Sequence, residues 1–198
     1  MNEKLSKRQN QIIQESIKII HTKGIQGLTI KNISKAIELT EAAIYRHFKS
    51  KDQILSTILD DFRLNLNDKI HPILESDLLA LAKLKSILDN MIELFCANPY
   101  IVSVIFSDEI FKNNQILSDK IINLIKQNNE VFRLIAEEGQ KNKEIRSDVN
   151  ADELSIIIMG SFRMVVKNWQ LNKHTYSLKA RGSDFFESLF KIISANNS

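Results

Sequence analysis

Apolar residues recur three and four positions apart along almost the whole chain. The run "DLLALAKLKSILDNMIELFCA", residues 77–97, shows the pattern. Its Leu81, Leu84, Leu88, Met91 and Phe95 share one face of a helix but no single face of a strand. Little interrupts such runs: 198 residues include only five glycines and two prolines, too few for the turns of an all-β fold. The chain is therefore expected to be all-α. A composition that is 43% hydrophobic and 26% charged suits a soluble globular protein. No apolar run approaches the roughly 18 residues of a membrane span. The N-terminus, "MNEKLSKRQNQIIQESIKII", lacks the compact apolar core and cleavage site of a signal peptide. The single Cys96 suits a reducing cytoplasm and reads most simply as a small buried hydrophobe. A cytoplasmic protein without a membrane partner is the expectation.

Periodicity and capping residues predict the helices in order. The first covers about residues 5–23, with Ile12, Ile13, Ser16, Ile17, Ile19 and Ile20 inward and Gly24 at the stop. Thr29 caps a short helix over about 30–36, and Thr40 caps another over about 41–48. Ser50 and Gln53 have the form of a capping box opening a fourth helix, expected to run to about Ile70 and end before Pro72. Helices follow over about 78–97, 99–112, 117–139, 151–171 and 178–194. In the 117–139 segment, Ile121, Ile125, Asn128, Phe132 and Ile135 are placed on one face. The 151–171 segment is apolar over much of its circumference and must be covered on more than one side. Together with 178–194, which carries Phe185, Phe186 and Leu189, it offers more apolar surface than one body covers. That points to a dimer interface at Val165, Phe185, Phe186 and Leu189.

Charge separates the two ends. Residues 1–51 hold ten Lys/Arg against four Asp/Glu, and residues 52–198 hold seventeen against twenty. A basic head on a mildly acidic body suits a polyanion partner. Within the head, "TEAAIYRHF", residues 40–48, is a short helix with only Ile44 and Phe48 to bury. Two short helices joined by a tight turn behind a longer helix make a helix-turn-helix, whose second helix enters the DNA major groove. Ala42 and Ala43 let the backbone approach the bases. Thr29, Thr40, Tyr45, His47 and Lys51 are placed to meet phosphate oxygens, with Arg46 on the same basic back. Glu41 has two readings: an acceptor for a cytosine amino group, or a first-turn partner of the helix dipole.

The segment "GIQGLTIKNISKAIELTEAAIYRHFKSKDQIL" resembles the DNA-binding head of the TetR family of bacterial transcriptional regulators. The match covers about residues 8–60 without gaps, and includes Gly24, Thr29, Ile33, Thr40, Ala42, Ile44, Tyr45, His47, Phe48, Lys51 and Leu55. The resemblance implies an all-α homodimer. Residues 1–50 would be the DNA-binding domain and 51–198 a helical-bundle effector-binding and dimerisation domain, with helix 51–70 joining them. It also implies the repressor role and a pendulum-like coupling through that helix. The sequence departs from the family at Glu38, where a glycine is usual in the turn. A non-glycine residue held at positive φ there would cost on the order of 1 kcal/mol.

For an effector, Met91, Phe95, Tyr100, Phe132, Met159 and Trp169 come from four predicted helices and would make a mostly apolar cavity, although aromatics at helical spacing also make ordinary core. Arg163 has three readings: a partner for an anionic effector, a partner for an acid across a dimer, or a surface residue on the helix edge. Gly160 marks either a close crossing or space for a ligand. The four histidines (21, 47, 71, 174) form no metal-spaced pair, and neither a nucleophile elbow nor a Gly-rich phosphate loop occurs. Neither metal, cofactor nor enzymatic activity is expected. The combined reading is a DNA-binding regulator, a repressor released from a palindromic operator by a small, mainly apolar effector. Two alternatives stand beside it: a DNA-binding protein of the same fold serving chromosome organisation or cell division, and a helical module for a protein or membrane surface.

Overall fold

The computed structural model describes residues 5–112 and 114–195. Ten α-helices follow in order: α1 (Lys7–Lys23), α2 (Ile30–Ala36), α3 (Glu41–Tyr45), α4 (Lys51–Leu74), α5 (Ala80–Ala97), α6 (Val102–Ile105), α7 (Asp108–Phe111), α8 (Gln115–Lys141), α9 (Ala151–Leu171) and α10 (Leu178–Ile193). Among the described residues the only β pairing is an isolated antiparallel bridge between Ile145 and Ser194. The all-α expectation holds. No helix among them is long and apolar enough to cross a membrane.

The chain divides into two compact units, residues 1–63 with 100–121, and residues 64–99 with 122–198. The first unit holds the head. Ser6 opens α1 with a capping box: its hydroxyl oxygen accepts from the Gln9 N–H at 3.2 Å, and Gln9 Oε1 accepts from the Ser6 N–H at 2.9 Å. Ile12, Ile13, Ile17 and Ile20 are buried under α1, and Ile33, Ile44 and Phe48 are buried in the helices that follow. The unit also gathers segments distant in sequence. Tyr100 stacks on His21 with ring centroids 4.3 Å apart, and His21 Nδ1 lies 2.9 Å from the Ser103 hydroxyl oxygen. Lys120 donates to Asp60.

In the second unit α10 packs on α5 and on α9. Gly182 permits the α5 contact, because a Cβ there would lie 2.1 Å from Ile92 Cδ1. The rings of Phe95, Phe162 and Phe186 form a chain, with centroids 6.4 and 6.5 Å apart. The connection after α8 is laced to the end of α10: the Arg146 N–H donates to Ile193 O and the Ala195 N–H to Glu144 O, each at 2.9 Å.

Three expected boundaries differ. The predicted helix over 99–112 is broken into a 3-10 turn (Pro99–Ile101), α6 and α7. The break falls at Phe106 and Ser107, where the serine hydroxyl oxygen accepts from the Ile110 N–H at 3.4 Å and begins the next turn. Helix α4 runs through Pro72 to Leu74 rather than stopping before it, since a proline this near the end disturbs few backbone bonds. Helix α3 ends at Tyr45, and Arg46 and His47 form the turn that follows.

Candidate nucleic-acid interface

The turn between α2 and α3 fixes how the second helix is presented. Helix α2 ends in a Schellman motif: the Leu39 N–H donates to Ser34 O at 2.8 Å, and the Glu38 N–H to Lys35 O at 3.4 Å. The motif needs a left-handed residue between them, and Glu38 takes it with φ 54°. The strain anticipated at this position is therefore present. Thr40 then caps α3, its hydroxyl oxygen accepting from the Ala43 N–H at 3.2 Å, as Thr29 caps α2 through the Asn32 N–H at 3.1 Å. Both threonine hydroxyls accept in these caps, so each keeps its O–H as a donor.

Two residues pin the recognition helix to the head: Ile44 is fully buried and Phe48 nearly so. That packing turns the rest outward. Glu41, Ala42, Tyr45 and Arg46 are exposed, and Ala43 and His47 are half-buried. Lys51 is exposed in the first turn of α4, which Ser50 caps by accepting from the Gln53 N–H at 3.2 Å. Gln53 Oε1 in turn accepts from the Lys49 N–H at 2.6 Å. The anticipated box thus closes one residue earlier than Ser50. Tyr45 is 52% exposed, a degree that no packing role explains.

The other predicted residues fall into separate places. Met91, Phe95, Phe132 and Trp169 are buried in the second unit, and Met159 is half-buried. Trp169 stands at the end of α9, where its Nε1–H donates to Tyr176 O at 3.0 Å and its ring lies 4.2 Å from that of His174. Tyr100 lies in the first unit, exposed and stacked on His21, because the Pro99 turn carries it out of the α5 stripe. Arg163 is exposed, on the helix edge. An open groove of about 570 Å³ lies between residues 67–74 of α4 and 126–131 of α8, and none of these residues lines it.

Of the residues assigned to a dimer contact, Val165, Phe186 and Leu189 are buried within the protomer and Phe185 is half-buried. The largest apolar side chains fill the body's own core. The outward apolar face is Ile156, Ile157, Met164 and Leu171 on α9, with Ile192 on α10. Gly160 on this face is exposed, with nothing within 4 Å of a Cβ built on it. The spacing 157, 160, 164, 171 was readable as a second stripe on α9, opposite the first.

Sequence comparison decides the family. The profile for bacterial regulatory proteins of the tetR family matches residues 12–58, and that for the YsiA-like protein C-terminal region matches residues 59–192. The chain belongs to the TetR family. It is 22% identical over 179 residues to the fatty acid metabolism regulator protein of Bacillus subtilis (strain 168), covering 90% of this chain and 92% of that one. It is also 22% identical over 192 residues to the nucleoid occlusion factor SlmA of Vibrio atlanticus (strain LGP32), covering 96% and 95%. The fold matches that of the transcriptional regulator FadR from Bacillus subtilis, solved in complex with stearoyl-CoA, with a TM-score of 0.76 and 23% identity over 91% of this chain and 97% of that one. As a TetR-family member the protein is a DNA-binding transcriptional regulator. It acts as a homodimer on operator DNA and answers to a small molecule.

Proposed function

We propose that residues 1–50 dock α3 in the major groove of a palindromic operator, and that residues 51–198 bind a mainly apolar or amphipathic effector whose arrival releases the DNA. The observation that carries the docking is the pinning of α3 by buried Ile44 and Phe48, which leaves Glu41, Ala42, Ala43 and Arg46 toward the bases. Thr29, Thr40, Tyr45, His47 and Lys51 hold phosphates around them. The protein acts as a cytoplasmic repressor without catalytic activity of its own. Pairing of two protomers through the outward faces of α9 and α10 sets the recognition helices about one helical turn of DNA apart. An apolar effector agrees with the buried Met91, Phe95 and Phe132 of the body, and with relatives named for fatty acid metabolism and for a stearoyl-CoA complex.

Operator selection from random duplexes, followed by release with acyl-CoA thioesters, tests this reading. The expected result is a palindromic site released by long-chain compounds. Release only by small, highly polar compounds or metal ions would overturn the effector class. The second reading, a role in chromosome organisation, is favoured by the likeness to a nucleoid occlusion factor. Genome-wide occupancy separates the two: a few promoter sites support the regulator, and many dispersed sites support the alternative.

A further inference from the structure

Two helices run unbroken from one compact unit into the other: α4 at residues 63–64 and α8 at 121–122. In the first unit they are tied directly, because the Lys120 ammonium donates to the Asp60 carboxylate. In the second unit the open groove of about 570 Å³ lies between them, within the range of small-molecule sites, about 300–1,000 Å³. Apolar side chains line it on both helices: Ile70, which is buried, and Leu74 and Val131, which are half-buried. Its charged lining is not balanced. Both Glu130 carboxylate oxygens accept from Arg133 on the same helix, from Nε at 2.8 Å and Nη2 at 2.6 Å. His71 Nδ1 lies 3.4 Å from Glu75 Oε1. Lys126, by contrast, makes no hydrogen bond or ion pair among the described residues, and neither do the amides of Asn67 and Gln127. The groove therefore presents one uncompensated charge, a positive one, with free amide donors beside an apolar wall. A solvated lysine alone selects nothing. Its place against that wall selects a ligand with both an anionic head and an apolar body.

We propose that the groove between α4 and α8 binds a free amphipathic anion: its apolar body lies along Ile70, Leu74 and Val131, and its carboxylate, sulfonate or phosphate head accepts from the Lys126 ammonium. This rests on the reading of residues 51–198 as the effector domain. It moves the effector away from Met91, Phe95 and Phe132, which are buried in the packed body, and from Arg163, which does not line the groove. An occupant there bears on the two helices that continue into the unit of the head, and on the Lys120–Asp60 pair that ties them.

The test titrates the full-length protein calorimetrically with three probes: decanoate, decylammonium and acetate, all below micellar concentration. Decanoate should bind once per protomer and about tenfold more tightly than decylammonium, the worth of one charge-assisted hydrogen bond. Acetate, which has no apolar body, should give no measurable binding. Lys126→Gln should remove the preference for decanoate, whereas Lys141→Gln, on α8 but outside the groove, should keep it. Val131→Trp and Gln127→Trp fill the groove from its wall and its rim and should each abolish decanoate binding. Gln127 is exposed, so its variant keeps the fold, and circular dichroism checks both. Decanoate binding that survives Gln127→Trp and Lys126→Gln would overturn the site, while leaving an effector domain in the body. Equal binding of decanoate and decylammonium, or no binding of decanoate, would overturn the ligand class and the proposal with it. Release of the selected operator is read separately: decanoate held in the groove without release would refute the effector reading and leave the site standing.

Discussion

The left-handed residue at the end of α2 gives a sharp test of how sequence and backbone conflict in the head. Glu38 sits at φ 54° in a Schellman motif whose two hydrogen bonds are both made. Holding an L-residue there costs about 1–2 kcal/mol. Glycine would remove that cost but adds unfolded-chain freedom worth about 0.5–1 kcal/mol. Glu38→Gly should therefore stabilise the protein by about 0.5–1 kcal/mol. Charge needs its own control, because Glu38 is exposed beside the DNA-facing helix. Glu38→Gln keeps the strained backbone and removes the charge, and should leave stability within about 0.5 kcal/mol of the unmodified protein. Glu38→Asn should fall between the two, since asparagine tolerates this conformation. Urea unfolding followed by circular dichroism reads the global effect. Hydrogen exchange at the Leu39 amide, which donates to Ser34 O, reads it locally. Equal stability for the glycine and glutamine variants, with no added protection at Leu39, would mean that the turn does not store strain, and the reasoning would fail.

Other perturbations separate docking, assembly and packing. Lys51→Ala should weaken operator and random DNA alike and lower the salt slope by about one unit; an unchanged slope would remove Lys51 from the phosphate contacts. Tyr45→Phe and His47→Ala should weaken both kinds of DNA without altering the selected sequence. Met164→Glu and Ile157→Glu, on the exposed face of α9, should give folded monomers in analytical ultracentrifugation, whereas Phe186→Glu, 1% exposed, should unfold the body. Folded dimers from both α9 variants would exclude that face. Gly182→Ala sets the displacement of Ile92 Cδ1 against about 0.5–1 kcal/mol of helix propensity gained over glycine, so its net effect on stability should stay within about 1 kcal/mol, and adding Ile92→Val, which removes the crowded methyl, should leave the propensity gain visible. The hydrogen bond from Arg146 holds the Asp148 carboxyl below its usual range. Its stabilisation is thus present above the ordinary carboxylate range and lost as pH falls. Asp148→Asn should flatten that part of the acid unfolding curve.

The head was legible because several local rules agree there. Thr29 and Thr40 both cap as expected, α2 occupies the predicted residues 30–36, and Ile44 and Phe48 are the two buried positions of the second motif helix. Short helices with side-chain caps announce their own ends. The body was less legible, because its apolar residues serve two surfaces. On α9, Val165 and Ile157 look alike in sequence, yet one is buried in the protomer and the other is exposed. Periodicity identifies an apolar stripe but not which neighbour covers it. Tyr100 was misplaced for a related reason. Its aromatic ring fitted a cavity, but the stacking partner His21 lies 79 positions away in the chain, and no local pattern links them.

The grouping of residues 100–121 with the head bears on how a regulator of this kind is switched. The chain passes between the two compact units at 63–64, 99–100 and 121–122. Only the first passage lies in α4. The segment entered by the other two is fixed to α1 and the start of α4 by the Tyr100 ring on His21, the Ser103 hydroxyl at His21 Nδ1, and the Lys120–Asp60 pair. The second unit is thus joined to the first by two further passages of the chain besides the one in α4, and an effector-driven change in it has all three to act on. Its free energy must also be expressed as a difference in affinity between two arrangements of those passages. The same coupling acts in reverse, so operator DNA must weaken effector binding by the factor with which effector weakens DNA binding. A head tied at three points transmits displacement only while its ties hold. His21→Ala, which removes the ring under Tyr100 and the partner of the Ser103 hydroxyl, should therefore lower the factor by which effector weakens operator binding, and an unchanged factor would separate these contacts from the response.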